Sequence, residues 1–142
     1  MPDKDVVTSK LAAMGTYLEE LNPHLEQYRQ GKLPLNDLRI FVIERLFQLI
    51  ADAAIDTNAH LITRGKLESA EDYEGTFRVL GKHGIIPTEL GDAISGSIGL
   101  RNRLVHGYEG VQRKTAIDDI ANGIGQYVSY MGHIKTFLER GK

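Results

Sequence analysis

Apolar residues recur every three or four positions along most of the chain, which is the period of one face of an α-helix. In the first segment they are Val7, Leu11, Met14, Leu18, Leu21 and Leu25. This spacing predicts a helix from about Lys4 to Gln30. Pro23 interrupts the segment, because proline lacks a backbone N–H donor and crowds the preceding turn. We therefore expect either a kink at Asn22-Pro23 or two helices that meet there.

A second segment, from Leu35 to about Thr63, is apolar over an unusually broad face. Pro34 or Leu35 is expected to open this helix, and Arg64-Gly65-Lys66 to close it with a glycine cap. A helix with so much apolar surface is either central to a bundle or part of a dimer interface. Its apolar positions are Leu38, Phe41, Val42, Leu46, Leu49, Ile50, Ala53 and Ala54, widened by Ile43, Phe47 and Ile55.

Three further helices are predicted in the second half of the chain. Ser69-Ala70-Glu71-Asp72 has the serine cap and the acidic first turn of a helix start. Pro87-Thr88-Glu89-Leu90 begins a helix that runs toward Val105 and contains several glycines, which suggest the close approach of another helix. The last segment keeps helical spacing at Ile117, Ile120, Ala121, Ile124, Tyr127, Val128, Met131, Ile134 and Leu138.

The pattern as a whole predicts an all-α fold, because no strand-like alternation bounded by hairpin turns is present. We expect one helical domain over residues 1–142, built as a bundle of four or five helices. No run approaches the roughly 20 consecutive apolar residues of a membrane helix, and the start lacks the pattern of a secretory signal. A cytoplasmic protein with no membrane association is therefore expected.

The formal net charge of -2 argues against a protein that coats nucleic acid through bulk electrostatics, since such domains are usually strongly basic. A local exception lies between Ile98 and Lys114, where four cations face the single acid Glu109. This segment is either a solvated charged face or a local RNA-binding surface. The cations are Arg101 and the candidate RNA-binding residues Arg103, Arg113 and Lys114.

The same segment contains groups suited to RNA cleavage without a metal. Histidine titrates near neutrality and can exchange a proton with a 2′-hydroxyl or a leaving oxygen, while arginine binds phosphate oxygens through two parallel donors. Asn102 and His106 lie four residues apart on one helical face, so the amide could hold the imidazole. Arg101 lies about 140° from His106 on an ideal helix. Both side chains reach one phosphate only if the helix ends or distorts at His106, and Gly107 would permit this.

The run Arg101-Asn102-Arg103-Leu104-Val105-His106-Gly107-Tyr108 resembles the R-x4-H-x-Y motif of the HepT-like branch of the HEPN superfamily. The similarity extends to the helix order and to the stretches Asp56 to Ile62 and Phe77 to Pro87. The resemblance implies a homodimer of HEPN-type bundles in which two motifs face one cleft. Two basic segments in one cleft would double the local positive potential. The resemblance to this family further implies a metal-independent ribonuclease toxin, paired with a minimal nucleotidyltransferase (MNT) antitoxin.

The resemblance also assigns roles to individual residues. It makes Arg101 and His106 the catalytic pair, Asn102 their positioning neighbour, and Asp56 a supporting acidic residue from the second helix. Tyr108 becomes the residue to which the antitoxin transfers adenylyl groups. A nucleotide two residues from His106 would place negative charge and bulk where the RNA phosphate should lie. No cofactor and no metal ion is expected for the reaction.

Two alternatives stay open at this point. The motif could hold a nucleotide or a nucleotidyltransferase partner without catalysis, which would make the chain a binding module. Separately, Asp52, Asp56 and His60 stand at i, i+4 and i+8, a spacing that could ligate a metal ion. A solvated helix face explains that spacing equally well.

Overall fold

A computed structural model describes residues 2–107 and 112–140 of the chain. Over these residues the chain forms five α-helices and no strand, so the all-α prediction is confirmed. None of the helices in the described ranges combines the length and the apolar character that a membrane span requires. The helices are α1 (Lys4–Arg29), α2 (Arg39–Gly65), α3 (Tyr73–Lys82), α4 (Thr88–His106) and α5 (Arg113–Arg140).

Helix α1 continues through Pro23, so it is one helix and not two. The carboxylate of Asp3 caps its start by accepting from the backbone N–H groups of Asp5 and Val6. Proline removes one hydrogen bond from the helix, but apolar residues on both sides of it are anchored in the core. The buried residues of α1 are Val7, Met14, Leu18, Leu21 and Leu25, as the spacing predicted.

Helix α2 is central, because it packs against each of the other four helices. The predicted start at Pro34 or Leu35 is wrong. The Pro34 carbonyl instead accepts from the Asp37 N–H in a turn, and the Asp37 carboxylate accepts from the Arg39 N–H at 2.9 Å. This local capping delays the helix to Arg39, since aspartate satisfies the free N–H groups of a helix start.

The end of α2 also differs from the prediction of a glycine cap. Gly65 is still helical, and Lys66 takes the left-handed conformation with φ 53° and ψ 40°. The N–H of Leu67 then bonds to the Ile62 carbonyl at 3.0 Å, which satisfies a carbonyl of the last turn. The cap geometry is the expected one, but it lies one residue later and on a residue with a Cβ.

The first turns of α2 leave apolar side chains in contact with solvent. Leu38 is 78% exposed, Phe41 51% and Val42 41%. They lie three and four residues apart, on one face of the helix, whereas the middle of α2 is buried. The broad apolar surface of α2 therefore has two parts, one that fills the core of the bundle and one that is uncovered in the single chain.

Helices α3 and α4 form a close pair. Asp72, and not the predicted Ser69, caps α3 by accepting from the Gly75 N–H at 2.7 Å. Helix α4 begins at Thr88 after Pro87 and ends at His106, as predicted. A Cβ on Gly91 would stand 2.9 Å from the Phe77 carbonyl oxygen, so this glycine permits the close approach. The other two glycines of α4, Gly96 and Gly99, have no described atom within 4 Å of such a Cβ, so they do not account for the close approach.

Helix α5 closes the bundle with two tyrosines that are fully buried, Tyr127 and Tyr130. The predicted stripe is wrong at Val128, which is 55% exposed, while Tyr130 takes the inward position. The Tyr130 hydroxyl donates to the side-chain oxygen of Asn58 at 2.5 Å, and the Asn58 amide donates to Thr76 at 3.1 Å. This buried chain of hydrogen bonds links α5 to α2 and α3.

Candidate active site

The motif arginine and histidine lie at the C-terminal end of α4. The helix ends at His106, and Gly107 follows with φ 86° and ψ 160°. A side chain at residue 107 would be strained at this φ, so glycine is the residue that allows the chain to leave the helix here. The prediction that the helix ends at His106 and turns at Gly107 is confirmed.

Within the part of the chain that the structure describes, three neighbours hold Arg101. Its Nε donates to Asp52 Oδ1 at 2.7 Å, and its Nη1 donates to Asn102 Oδ1 at 3.1 Å. The guanidinium carbon also lies 5.2 Å from the ring centroid of Tyr73, within cation–π range. Only 16% of the Arg101 side chain is exposed, so most of this cation is shielded from water.

Among the described residues, the acidic neighbour of Arg101 is Asp52 and not the predicted Asp56. Asp56 pairs with Lys10 of α1 at 3.3 Å and is largely exposed. The two carboxylates are one helical turn apart, so the sequence pattern cannot distinguish them. Helix α4 packs near Asp52 and helix α1 near Asp56, so Asp52 pairs with Arg101 and Asp56 pairs with Lys10.

The metal-site alternative for the same face is not supported by the contacts. Asp52 contacts Arg101, Asp56 contacts Lys10, and the Nε2 of His60 accepts from the Asp3 N–H at 3.0 Å. In the described part of the chain, no group of three or more His, Asp or Glu side chains is arranged to hold a metal ion.

His106 is exposed to solvent. Its ring makes no hydrogen bond to any residue within 2–107 or 112–140. Asn102 makes no hydrogen bond to His106 in the described structure, and its side-chain oxygen accepts from Arg101. Asn102 therefore orients the arginine of the motif, and the histidine is accessible to a ligand from solvent.

Each candidate RNA-binding cation has an acidic neighbour that is distant in sequence or on the next turn. Arg103 lies 3.9 Å from Asp119, Arg113 lies 3.3 Å from Glu44, and Lys114 lies 2.7 Å from Asp118. The positive charge of this segment is thus offset by nearby carboxylates in the single folded chain. Asp119 and Glu44 come from other parts of the fold, and Asp118 comes from the next turn of α5.

The ionisation of these carboxylates reflects their surroundings. Hydrogen bonds from Lys114 and from the Tyr28 hydroxyl lower the pKa of Asp118. Burial raises the pKa of Tyr28 to about 12, with the Asp118 carboxylate adding to the effect. Burial also raises the pKa of Glu44, an effect that Arg113 opposes. Arg113 is further placed 4.6 Å above the ring of Phe41, so it joins the exposed apolar end of α2 to the basic segment.

A pair of hydroxyl groups lies close to Asp52. Tyr127 Oη and Ser97 Oγ are 2.6 Å apart, and Ser97 also donates to the Ile94 carbonyl at 2.8 Å. Burial raises the pKa of the Tyr127 hydroxyl, and the nearby Asp52 carboxylate raises it further. The tyrosine therefore remains a neutral hydrogen-bonding group at the base of the site.

The profile of the ribonuclease HepT-like family matches residues 14–134 of the chain, which include the motif and the helices that carry its neighbours. The chain belongs to this family. A curated relative, the tRNA nuclease HepT of Aphanizomenon flos-aquae (strain 2012/KM1/D3), is 34% identical over 140 residues. The alignment covers 94% of this chain and 90% of the relative. This HepT-like chain is thus a ribonuclease by family.

Solved structures share the fold of this HepT-like chain at low sequence identity. A tri-AMPylated HEPN toxin of Shewanella oneidensis in complex with an MNT antitoxin has a TM-score of 0.81 at 20% identity, covering 93% of this chain and 98% of that one. YutE of Bacillus subtilis, a cytosolic protein of unknown function, has a TM-score of 0.83 at 15% identity, covering 99% and 93%. These similarities establish the HEPN-type bundle.

The structure brings together some of the predicted site residues of this HepT-like chain. Arg101 and Asn102 contact each other, and His106 follows on the same helix at its last turn. Tyr108, the predicted site of adenylylation, lies outside the described residues. Tyr73 was not predicted as part of the site, because it lies on α3 and no spacing in the sequence relates it to Arg101.

Proposed function

We propose that this chain is an RNA-cleaving toxin that works as a homodimer and is silenced by an MNT-type nucleotidyltransferase antitoxin. The observation that carries the proposal is the presentation of Arg101 by Asp52 and Asn102, five residues before an exposed His106 at the end of α4. A fixed cation and a free imidazole are the groups that metal-independent RNA cleavage needs. Membership of a ribonuclease family supports the same assignment.

In the proposed reaction His106 exchanges a proton with the 2′-hydroxyl or with the leaving oxygen. Arg101 stabilises the negative charge that develops on the phosphate oxygens, because preorganised donors act most strongly where charge builds up in the transition state. Asn102 is a positioning residue for Arg101. Arg103, Arg113 and Lys114 are proposed to bind RNA by exchanging their present carboxylate neighbours for phosphates. No step requires a cofactor.

We propose tRNA as the substrate class, because the curated relative at 34% identity is a tRNA nuclease. Free tRNA is a cytoplasmic molecule, so the proposal places this chain in the cytoplasm. Carboxylates balance the cations around the motif in a single chain. We therefore propose that affinity for tRNA arises from a surface formed by both chains of the homodimer.

The second chain of the proposed homodimer covers the exposed end of α2. Leu38, Phe41 and Val42 form an apolar face that is unusual to leave in water, and Phe41 adjoins the basic segment through Arg113. Val105, next to the motif histidine, is also 43% exposed. A partner that covers both the exposed end of α2 and Val105 would bring a second motif toward the first and would form the cleft that RNA enters.

Control by an antitoxin is proposed to act at Tyr108. The Shewanella protein that shares this fold is AMPylated and bound to an MNT antitoxin. An adenylyl group on Tyr108 would introduce a phosphate two residues after His106, where it competes with the RNA phosphate for Arg101. The modification thereby blocks binding without unfolding the toxin.

The test is cleavage of labelled total tRNA by the purified protein in excess chelator. We expect cleavage by the wild type and a loss of at least about a hundredfold in Arg101→Ala and His106→Ala. Matched controls are Arg78→Ala and His83→Ala, an exposed arginine of α3 and an exposed histidine after it, which should cleave like wild type. Undiminished cleavage by both motif variants would refute the assignment. No cleavage by wild type, together with tight binding of a nucleotide or of the nucleotidyltransferase, would favour the binding-module alternative.

The regulatory part is tested separately by intact mass. Incubation with ATP, Mg²⁺ and an MNT-type nucleotidyltransferase should add whole adenylyl units to the wild type and none to Tyr108→Phe, with loss of tRNA cleavage only in the former. Equal modification of both proteins would show that the modified residue is not Tyr108.

The dimer interface is tested by sedimentation. Phe41→Glu should show a shift toward monomer if the exposed end of α2 is the interface, because a buried carboxylate without a partner opposes association.

A further inference from the structure

We infer that Asp52 and Tyr73 are positioning residues for Arg101, which fix the plane of its guanidinium so that its free donors point to the RNA phosphate. The inference rests on the proposed ribonuclease function, and it adds two residues from helices outside the motif. Arginine has a long, flexible side chain, and a cation that stabilises a transition state must be held within a fraction of an ångström. The contacts around Arg101 supply this restraint.

Asp52 holds the inner edge of the guanidinium. The Nε to Oδ1 distance of 2.7 Å is that of a charge-assisted hydrogen bond, and it joins the middle of α2 to the end of α4. Both side chains are substantially buried, with 16% exposed for Arg101 and 33% for Asp52. Water therefore screens this pair less than it screens the pair of Arg103 with Asp119, where both side chains are about half exposed.

Tyr73 restrains the guanidinium from its face. The Cζ of Arg101 lies 5.2 Å from the centre of the ring, and the ring is half exposed, so it forms one wall of the site. Tyr73 is the first residue of α3, where the Asp72 cap fixes the backbone. A cation packed against a ring cannot rotate freely, and an arginine with both its edge and its face held keeps one orientation.

These restraints leave donors available to a ligand. A guanidinium has five N–H groups, of which one on Nε bonds to Asp52 and one on Nη1 bonds to Asn102. No residue in the described ranges accepts from Nη2. The remaining N–H groups include both on Nη2, and a phosphate oxygen is the acceptor that suits them. Asp52 is therefore not a competitor for the substrate site, because it uses the Nε position.

Asp56 provides a matched control for Asp52. It lies on the same helix one turn away, and its carboxylate pairs with Lys10 across an exposed surface. Removing Asp56 takes the same charge from the same helix without touching Arg101. A comparison of the two sites separates an effect on Arg101 from a general effect of charge on RNA binding.

The kinetic test measures kcat and KM for tRNA cleavage in chelator. We expect Asp52→Ala and Tyr73→Ala each to lower kcat by about tenfold or more with only a small change in KM, since a misplaced cation costs transition-state stabilisation. Asp52→Asn should recover part of the loss because it keeps an acceptor oxygen, and Tyr73→Phe should recover most of it because it keeps the ring. Asp56→Ala should stay within about twofold of wild type.

A spectroscopic test does not depend on cleavage. The ¹⁵N-resolved Nε–H signal of Arg101, assigned by its absence in Arg101→Lys, should exchange slowly with water in wild type and Asp56→Ala. It should exchange fast, or shift toward the free-arginine position, in Asp52→Ala, and Asp52→Asn, which keeps an acceptor oxygen, should lie between Asp52→Ala and wild type. Thermal unfolding of each variant excludes loss of fold as the cause.

The outcomes distinguish the two hypotheses. Suppose that Arg101→Ala abolishes cleavage but that Asp52→Ala and Tyr73→Ala keep kcat within twofold of wild type. This result would overturn the positioning roles and leave the ribonuclease assignment intact. A higher kcat in Asp52→Ala would also overturn them, because it would show that the carboxylate competes with substrate. If wild type cleaves no RNA, the ribonuclease assignment fails, and an Arg101 Nε–H signal insensitive to Asp52→Ala would separately refute the contact.

Discussion

Tyr130→Phe removes one hydroxyl group from the centre of the bundle, and the structure lets its cost be estimated. The hydroxyl donates to Asn58 Oδ1 at 2.5 Å and also lies 3.1 Å from the Ala54 carbonyl oxygen, and both Tyr130 and Asn58 are fully buried. Burial raises the pKa of Tyr130, so the group is a neutral donor at all ordinary pH values. Its removal leaves the Asn58 oxygen buried and without that donor.

The expected loss of unfolding free energy is about 2 kcal/mol. A net hydrogen bond contributes roughly 1 kcal/mol, and an unsatisfied buried acceptor costs roughly 1–3 kcal/mol, two effects that partly overlap. For a chain of this size, that corresponds to a fall in Tm of roughly 6 °C. Phenylalanine keeps the ring and its edge contact with Phe77, so no cavity adds to the effect.

Tyr127→Phe is the matched control, three residues earlier on α5. Its hydroxyl partner, Ser97, is less buried and keeps a bond to the Ile94 carbonyl, so the loss should be about 1 kcal/mol or less. Urea unfolding at one protein concentration measures both, since the stability of a dimer depends on concentration. Equal losses in the two variants, or a loss below about 0.5 kcal/mol in Tyr130→Phe, would refute this account of the buried network.

Three other predictions concern local features. Lys66→Gly should raise the unfolding free energy by about 1 kcal/mol in the same urea assay, because glycine adopts the left-handed cap without the cost borne by a side chain; an unchanged midpoint would contradict the cap geometry. Asp72→Ala should lower the unfolding free energy by about 1 kcal/mol through loss of the α3 cap, and Asp72→Asn should retain most of the stabilisation from this cap. Hydrogen bonds from Lys82 and His83 lower the pKa of Glu68 from 4.5 to about 2, so its stabilisation is present above pH 4.5 and is lost as the pH falls toward 2. The stability difference between wild type and Glu68→Gln should shrink over that range, and a constant difference would argue against the shift.

The sequence alone determined the all-α class, the existence of the helices and the place of the motif. Helical spacing of apolar residues is a local property, and so is the end of α4, where His106 is followed by a glycine that can leave the helix. Local rules were less reliable for helix boundaries. At Asp37, Lys66 and Asp72 the competition between neighbouring capping groups moved the boundary away from the proline, glycine or serine that the pattern favoured.

Only the tertiary structure decided which charges meet. Asp52 and Asp56 lie one turn apart on the same helix, so the sequence does not distinguish them. The packing of α4 against α2 places Arg101 beside Asp52, and Asp56 pairs with Lys10. The packing of α5 against α4 likewise sets Asp119 beside Arg103, whereas Lys114 and Asp118 meet one turn apart on α5 itself. Electrostatic neighbours depend on distance in space, and a spacing pattern records distance only along one helix. The motif could therefore be found in the sequence, but the residues that orient its arginine could not.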